Sequence, residues 1–189
     1  MVEKGSEEQW IEDSRAGDPE AFAPLVARYQ KMIHALTFRM TGSLADSEDL
    51  AQETFLRAFE QLSTYQGRSK FSSWLYRIAV NACLNWRQRE TRRRQTNISW
   101  SEMRVVEGLA AEMPPELQEA SQRVQDALLR LPAKQRAAIV LTTHEGLDHA
   151  EAARVLGCSE TTVSWRVFAA RSKLKRWLTN SVREQKPQS

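Results

Sequence analysis

Apolar side chains in this chain return at intervals of three and four, and no stretch alternates with period two over a convincing length, so helices account for the pattern. Glu7 to Ala16 forms a first short helix that Gly17 stops. Asp18-Pro19 then reads as an N-cap followed by proline at the first helical position, and Phe22, Leu25, Val26, Tyr29, Ile33 and Leu36 carry a buried stripe on to Gly42. A third helix lies in DSEDLAQETFLRAFEQL, where Ala51, Phe55, Ala58, Phe59 and Leu62 are linked by spacings of three and four, leaving Asp46, Glu48, Asp49, Gln52, Glu53 and Arg57 on the other face. The fourth begins near Ser72 or Ser73 and runs to about Glu90. From Thr96 to about Gln122 the periodicity fails, and a second helical unit starts near Arg123. The expected architecture is all-α: two small helical domains, residues 1–95 and 123–185, joined by a flexible acidic linker, 96–122.

Charge sharpens this division. The net charge is only +3, but it is unevenly spread. From Gln66 to Gln95, eight basic residues (Arg68, Lys70, Arg77, Arg87, Arg89, Arg92, Arg93, Arg94) face one acid, Glu90. From Glu102 to Asp126 six acids face only Arg104 and Arg123, and that stretch repels a polyanion. Cys83 and Cys158 show no CxxC spacing, so neither a disulfide framework nor a zinc site is indicated, and a reducing cytoplasm fits. Charges from Glu3 onward and the lack of any apolar run near the ~18 residues of a membrane span argue against export or membrane insertion.

On the fourth helix, at about 100° per residue, Leu75, Ala79, Ala82 and Trp86 share an inward arc, while Trp74, Asn81 and Asn85 fall within about 40° of one another on a different face, bordered by Arg77 and Gln88. An aromatic plane, two amides and nearby cations are what an unpaired base and its phosphates require. Duplex DNA hides those base edges, so the implied target is an opened strand. The plainer reading makes Trp74 and Trp86 core aromatics, Asn81 and Asn85 solvated, and the arginines solubilising.

The segment LDHAEAARVLGCSETTVSWRVFAARSKLKRWL has the punctuation of a helix-turn-helix. Asp148 and Glu151 form a capping pair, Gly157 ends one helix, and Ser159 caps the next. Val163, Val167, Ala170 and Leu174 face inward, which leaves Thr161, Trp165, Phe168 and Ser172 pointing outward. Exposed aromatics suit thymine methyls in a major groove, or else packing against another domain.

Catalysis finds no support, and no cofactor or metal is expected. His144 and Glu145 suggest HExxH, but the next histidine is His149, five positions on with Gly146 between, and one helical face cannot present both rings. Asp46, Glu48, Asp49 and Glu53 read better as acids complementing a helix N-terminus than as a magnesium site.

Three segments, DSEDLAQETFLRAFEQL, FSSWLYRIAVNACLNWRQR and LRLPAKQRAAIVLTTHEGLDHAEAARVLGCSETTVSWRVFAARSKL, together resemble the extracytoplasmic-function (ECF) group of bacterial RNA polymerase sigma factors, in order and spacing. The resemblance implies region 2 followed by region 4, a non-enzymatic protein that binds core RNA polymerase, directs it to promoters and helps melt them. Carried over by position, it implies that Asp49, Gln52 and Glu53 bind the β′ clamp helices. The loop Gly67 to Lys70 and the helix bearing Trp74, Tyr76, Arg77, Asn81 and Asn85 would read the −10 element; Thr162, Ser164, Trp165, Arg166, Phe168 and Arg171 would read the −35 element. Ala133 to Thr143 would contribute to the β flap contact, and an anti-sigma factor would cover these surfaces. Many relatives carry basic residues where Ser164 and Ala169 stand, and serine where Trp165 stands, so promoter sequence does not transfer from any of them. The rival reading is a conventional helix-turn-helix regulator of duplex operators, which has no need of Trp74, Asn81 and Asn85.

Overall fold

The computed structural model describes residues 6–96 and 115–184, and within them every regular element is helical. Helix α1, Glu7–Arg15, opens on Ser6, whose Oγ accepts the Gln9 amide at 3.2 Å, and closes at Ala16 and Gly17. Asp18 does act as a cap, but of a short 3₁₀ turn, Glu20–Phe22, through its Oδ1 to the Glu20 amide at 2.9 Å. Helix α2 proper is Ala23–Thr41. Leu25, Ile33 and Leu36 are buried along it as the periodicity predicts, with Val26 and Tyr29 at the margin of the core.

Helix α3, Leu44–Glu60, is capped by Ser43, whose side chain accepts the Asp46 amide at 3.2 Å. Its inward line differs from the expected one: Ser47, Leu50, Thr54 and Ala58 are buried, whereas Ala51 and Phe55 are half-buried and Phe59 is exposed. The reason is hydrogen bonding. Thr54 Oγ1 donates to the Leu50 carbonyl at 2.7 Å and Ser47 Oγ to the Leu44 carbonyl at 2.7 Å, so these small side chains enter the interior with their polar atoms satisfied. Thr37 Oγ1 of α2 also donates to the Ser47 carbonyl at 2.9 Å, tying the two helices together. The displaced aromatics line an apolar groove of about 720 Å³ between α2 and α3, with Phe22, Val26, Phe55, Leu56 and Phe59 on its walls.

Helix α4 spans Phe71–Thr96, past the expected end near Glu90, because the terminal run of arginines and glutamines favours helix and Glu90 pairs with Arg93 at 3.1 Å. Helix α5, Pro115–Arg130, begins with proline at its first position and lies partly inside the stretch expected to be linker. The remainder of that stretch, 97–114, falls outside the described residues. Helix α6, Ala133–Ile139, continues into a π turn, Val140–His144; α7 is His149–Leu156 and α8 is Glu160–Glu184.

The second unit packs directly on the first: α5 and α6 lie against α2, and α6 and α7 against α4, so one apolar core runs through both. Arg136 of α6 sits at this junction with 1% of its surface exposed. Its guanidinium donates to the carbonyls of Leu128 (2.8 Å), Leu129, Leu131 (3.2 Å) and, across the junction, Met40. These oxygens lie at or just beyond the C-terminal ends of α5 and α2, where carbonyls run short of helical donors and the helix dipole is negative. Gln125 Nε2 reaches the Phe38 carbonyl of the same α2 turn at 3.1 Å. Gly42 closes α2 in a left-handed conformation (φ 73°), and a Cβ there would lie 2.3 Å from Leu129 Cδ1, so this glycine is needed twice over.

Two predictions follow from burial. Arg136→Met removes the guanidinium from four carbonyls, of which that of Leu128 keeps the Leu131 amide at 3.1 Å, and should lower stability by about 3 kcal/mol or more in urea unfolding. Burial pushes the Cys83 thiol up to about 12, while Cys158 is half-exposed. In the folded protein at pH 8, a chromogenic thiol reagent should therefore react with Cys158 alone, Cys83 becoming accessible only on unfolding.

Candidate nucleic-acid interface

Helix α4 has three faces, and two are occupied. Leu75, Ala79 and Ala82 fill the interior of the first unit. Tyr76, Val80 and Cys83, about 180–240° around the helix from Trp74, are also buried, on the side that meets the second unit. What remains open is the stripe bearing Trp74, Arg77, Asn81 and Asn85, with Lys70 at its N-terminal end; Arg77, Asn81, Asn85 and Lys70 are exposed and Trp74 is half-buried. From Trp74 to Asn85 the stripe covers roughly 16 Å of helix at about 1.5 Å per residue.

Trp74 is held rather than free. Its ring lies 5.4 Å from both Tyr65 and Phe71, which themselves meet edge-on at 5.3 Å, and Tyr29 backs Phe71 at 5.7 Å. Tyr65 Oη donates to the Ser69 carbonyl at 2.7 Å, and Arg15 donates to the Tyr65 carbonyl at 2.6 Å, so the loop ahead of α4 is braced on both sides. Sequence reasoning passed over Tyr65; an aromatic just before the glycine of an interhelical loop, within reach of two aromatics on the next helix turn, was the available signal. Trp86, on the inward arc, is partly buried and donates from Nε1 to Asp46 at 3.3 Å.

Tyr76 does not share the stripe. It stands about 160° from Trp74, is 4% exposed, and donates its hydroxyl to Glu145 Oε2 at 2.6 Å. Burial, and then the bond to that carboxylate, push the phenol far above its usual pKa, so it remains a neutral donor. The other Glu145 oxygen pairs with Arg39 at 3.3 Å. Expected among the base-reading residues, Tyr76 is turned by its helical phase to the second unit in this arrangement.

The helix-turn-helix forms as its punctuation dictates. Asp148 Oδ1 accepts the Glu151 amide at 2.7 Å and Glu151 Oε2 accepts the Asp148 amide at 3.2 Å, a reciprocal cap on α7. Gly157 adopts φ 59° to end it, and Ser159 Oγ accepts the Thr162 amide at 3.2 Å to start α8. Val163, Val167 and Ala170 are buried, whereas Trp165 and Phe168 are 62% and 71% exposed and Arg171 is exposed beside them. The remaining three of the six residues assigned there are engaged locally. Thr162 Oγ1 lies 2.9 Å from Ser159 Oγ, Ser164 Oγ lies 2.8 Å from His149 Nδ1, and the half-buried Arg166 donates to Cys158 Sγ at 3.4 Å. His149, unassigned in the sequence, thus belongs to this surface.

On α3, Asp49 and Gln52 are exposed, and Glu53 is half-buried and paired with Arg57 at 2.5 Å. Glu48 and Gln52 form the polar rim of the apolar groove. In the segment expected to contribute to the β flap contact, Gln135 to Leu141 are buried, and among the residues of α6 only Lys134 is exposed. Helix α6 serves as the interior of the second unit. Among the described residues, no group of three His, Cys, Asp or Glu side chains is placed to hold a metal ion. None of their helices is long and apolar enough to cross a membrane.

Residues 25–93 match the family Sigma-70 region 2, and residues 121–174 match Sigma-70, region 4. The chain is 32% identical to the RNA polymerase sigma-H factor of Pseudomonas aeruginosa, over 97% of its own length and 100% of that protein. It is 32% identical to the ECF RNA polymerase sigma factor SigW of Bacillus subtilis, covering 89% of this chain and 94% of the relative. Among solved structures it is similar to the sigma factor RpoE of Bartonella quintana in complex with the anti-sigma factor NepR (25% identity, TM-score 0.72, 84% of this chain and 96% of that one). It is likewise similar to CnrH in complex with the cytosolic domain of CnrY (28% identity, TM-score 0.65, 90% and 96%). A full-length match that includes region 2 does not favour a regulator confined to duplex operators. With an open stripe along α4 on one unit and a helix-turn-helix on the other, the chain belongs to the ECF sigma factors, non-enzymatic proteins that direct core RNA polymerase to promoters.

Proposed function

We propose that the two units divide the promoter between them: the open stripe of α4 takes the unpaired −10 strand, and α8 reads the −35 duplex. One observation carries this reading. Trp74, Asn81 and Asn85 share a solvent-facing line flanked by Lys70 and Arg77, while the rest of α4 is committed to packing. The braced Trp74 ring supplies a stacking plane already fixed in place, the amides supply donors and acceptors to base edges, and the cations supply phosphate contacts. Trp165, Phe168 and Arg171 lead on α8, with Thr162, Ser164 and Arg166 behind them becoming available as their local bonds exchange.

Asp49, Gln52 and Glu53, on the rim of the apolar groove, suit the β′ clamp helices of core polymerase, since a carboxylate stripe is a poor ligand for DNA. The second unit contributes to the β flap contact through the segment from Ala133 to Thr143. RpoE and CnrH were each solved with a partner of the kind named in those structures, and an anti-sigma factor would likewise cover these surfaces here. The protein acts in the cytoplasm, where the polymerase is.

Asn85→Ala should abolish open-complex formation, followed by permanganate reactivity of −10 thymines, while leaving affinity for core polymerase largely intact; normal opening by this variant would end the base-pocket assignment. Trp165→Ala or Phe168→Ala should weaken −35 binding by about 1–3 kcal/mol, read as the loss of discrimination between intact and mutated −35 sequences. Equal discrimination by variant and parent would remove α8 from that role.

A further inference from the structure

Helix α1 carries none of the residues assigned to promoter or polymerase, and it offers DNA little, since Glu7, Glu8, Glu12 and Asp13 stand against Arg15 alone. Ile11 and Ser14 are buried beneath it, and Trp10 packs at the margin of the core. Both ends of this helix reach the aromatic cluster behind Trp74. At the N-terminal end Glu7 Oε2 accepts the Tyr29 hydroxyl and pairs with Arg28 at 3.5 Å, and the Arg28 guanidinium lies 5.7 Å from the centre of the Tyr29 ring. Burial, and then the bond to Glu7, push the Tyr29 phenol up to about 12, so at neutral pH it stays protonated and donates. At the C-terminal end Arg15 Nη2 donates to the Tyr65 carbonyl at 2.6 Å, across 50 positions of sequence.

Tyr29 and Tyr65 are the two supports of the rings at the start of α4: Tyr29 meets Phe71, which is 1% exposed, and Tyr65 meets both Phe71 and Trp74. A stacking plane favours base capture most when its orientation is set beforehand, because every side chain ordered at the moment of binding subtracts from the gain. Given the assignment of Trp74 to the unpaired −10 strand, on which this rests, we propose that α1 is a positioning element for promoter opening: Glu7 and Arg15 hold Tyr29 and Tyr65, and through them fix the Trp74 plane, without touching DNA. Arg15 has the larger part. Tyr65 touches Trp74 directly and also anchors the loop ahead of α4, its hydroxyl bonding the Ser69 carbonyl at 2.7 Å, whereas Tyr29 acts through Phe71. Loss of the Arg15 bond therefore loosens ring and loop together. That bond ends on the loop and not on α3, so affinity for core polymerase is retained.

A double-mutant cycle tests this in the full chain bound to core polymerase, with the rate of opening followed by permanganate reactivity on a promoter that the parent protein opens. Parent, Arg15→Met, Trp74→Ala and the double variant are compared. Trp74→Ala should slow opening about ten-fold or more, the usual cost of losing an aromatic partner for a base. Arg15→Met should slow it about three- to ten-fold, the cost of one side chain left to be ordered on binding, with affinity for core polymerase unchanged. In the Trp74→Ala background the same change should cost nothing further. Arg15→Lys, which keeps a donor for the Tyr65 carbonyl, should return the rate to within about two-fold of the parent. An equal cost of Arg15→Met with and without Trp74 would overturn the positioning role, because a direct phosphate contact or a general loss of folded protein adds to the loss of Trp74. Opening by Arg15→Met at the parent rate would overturn it as well. A Trp74→Ala protein that opens DNA normally would instead sink the −10 assignment, and the role of α1 with it. Should urea unfolding show that Trp74→Ala has lost its fold, Trp74→Leu takes its place in the cycle, filling the space without an aromatic plane.

Discussion

A single buried cation organises this molecule. Arg136 has no carboxylate in its bonded set; it is neutralised by carbonyl oxygens at the C-terminal ends of two helices, one from each unit. Withdrawing a guanidinium from water costs several kcal/mol, and bonds to charged donors contribute about 1.5–3 kcal/mol each, so the position is favourable only because four carbonyls converge there. Burial lowers its pKa to about 10, still well above neutrality, and the cation persists. The corner between α5 and α6, the end of α2 and the junction of the units all depend on that one side chain.

With the junction in place, the character of α4 follows. A helix packed on two sides has only a narrow strip left for solvent, and on this helix the strip carries a tryptophan, two asparagines and an arginine in place of the usual glutamates and lysines. The aromatic cluster of Tyr29, Tyr65, Phe71 and Trp74 fixes the first turn of the strip, so that the stacking surface exists before any base arrives. The second unit solves its recognition problem by local means. Capping and a left-handed glycine set the angle between α7 and α8, and the outward phase of Trp165 and Phe168 follows from the inward phase of Val163, Val167 and Ala170. One surface is thus shaped by tertiary packing and the other by chain-local chemistry.

The same contrast explains what was legible in the primary structure. Signals confined to a few residues were readable: the reciprocal cap of Asp148 and Glu151, the glycines at 42 and 157, the Ser159 start of α8, and the shared phase of Trp74, Asn81 and Asn85, since each depends on backbone geometry within one or two turns. The inward face of α3 was not. Its apolar side chains outnumber the places available in the core, and hydroxyls at Ser47 and Thr54 took those places because bonds to nearby carbonyls made their burial inexpensive. The start of α5 was hidden by an acidic composition that also suits a linker.

The chain by itself, then, determined the helical content, the division into two units, the turn chemistry and the identity of the outward side chains, all of which arise from interactions between near neighbours. Only the tertiary structure decided which face of α4 meets the second unit, that Tyr76 turns inward to Glu145, that α6 is interior, and that Arg136 joins the units. Those choices rest on contacts between residues as many as 106 positions apart, and no local period or propensity encodes which distant carbonyl a buried guanidinium will find.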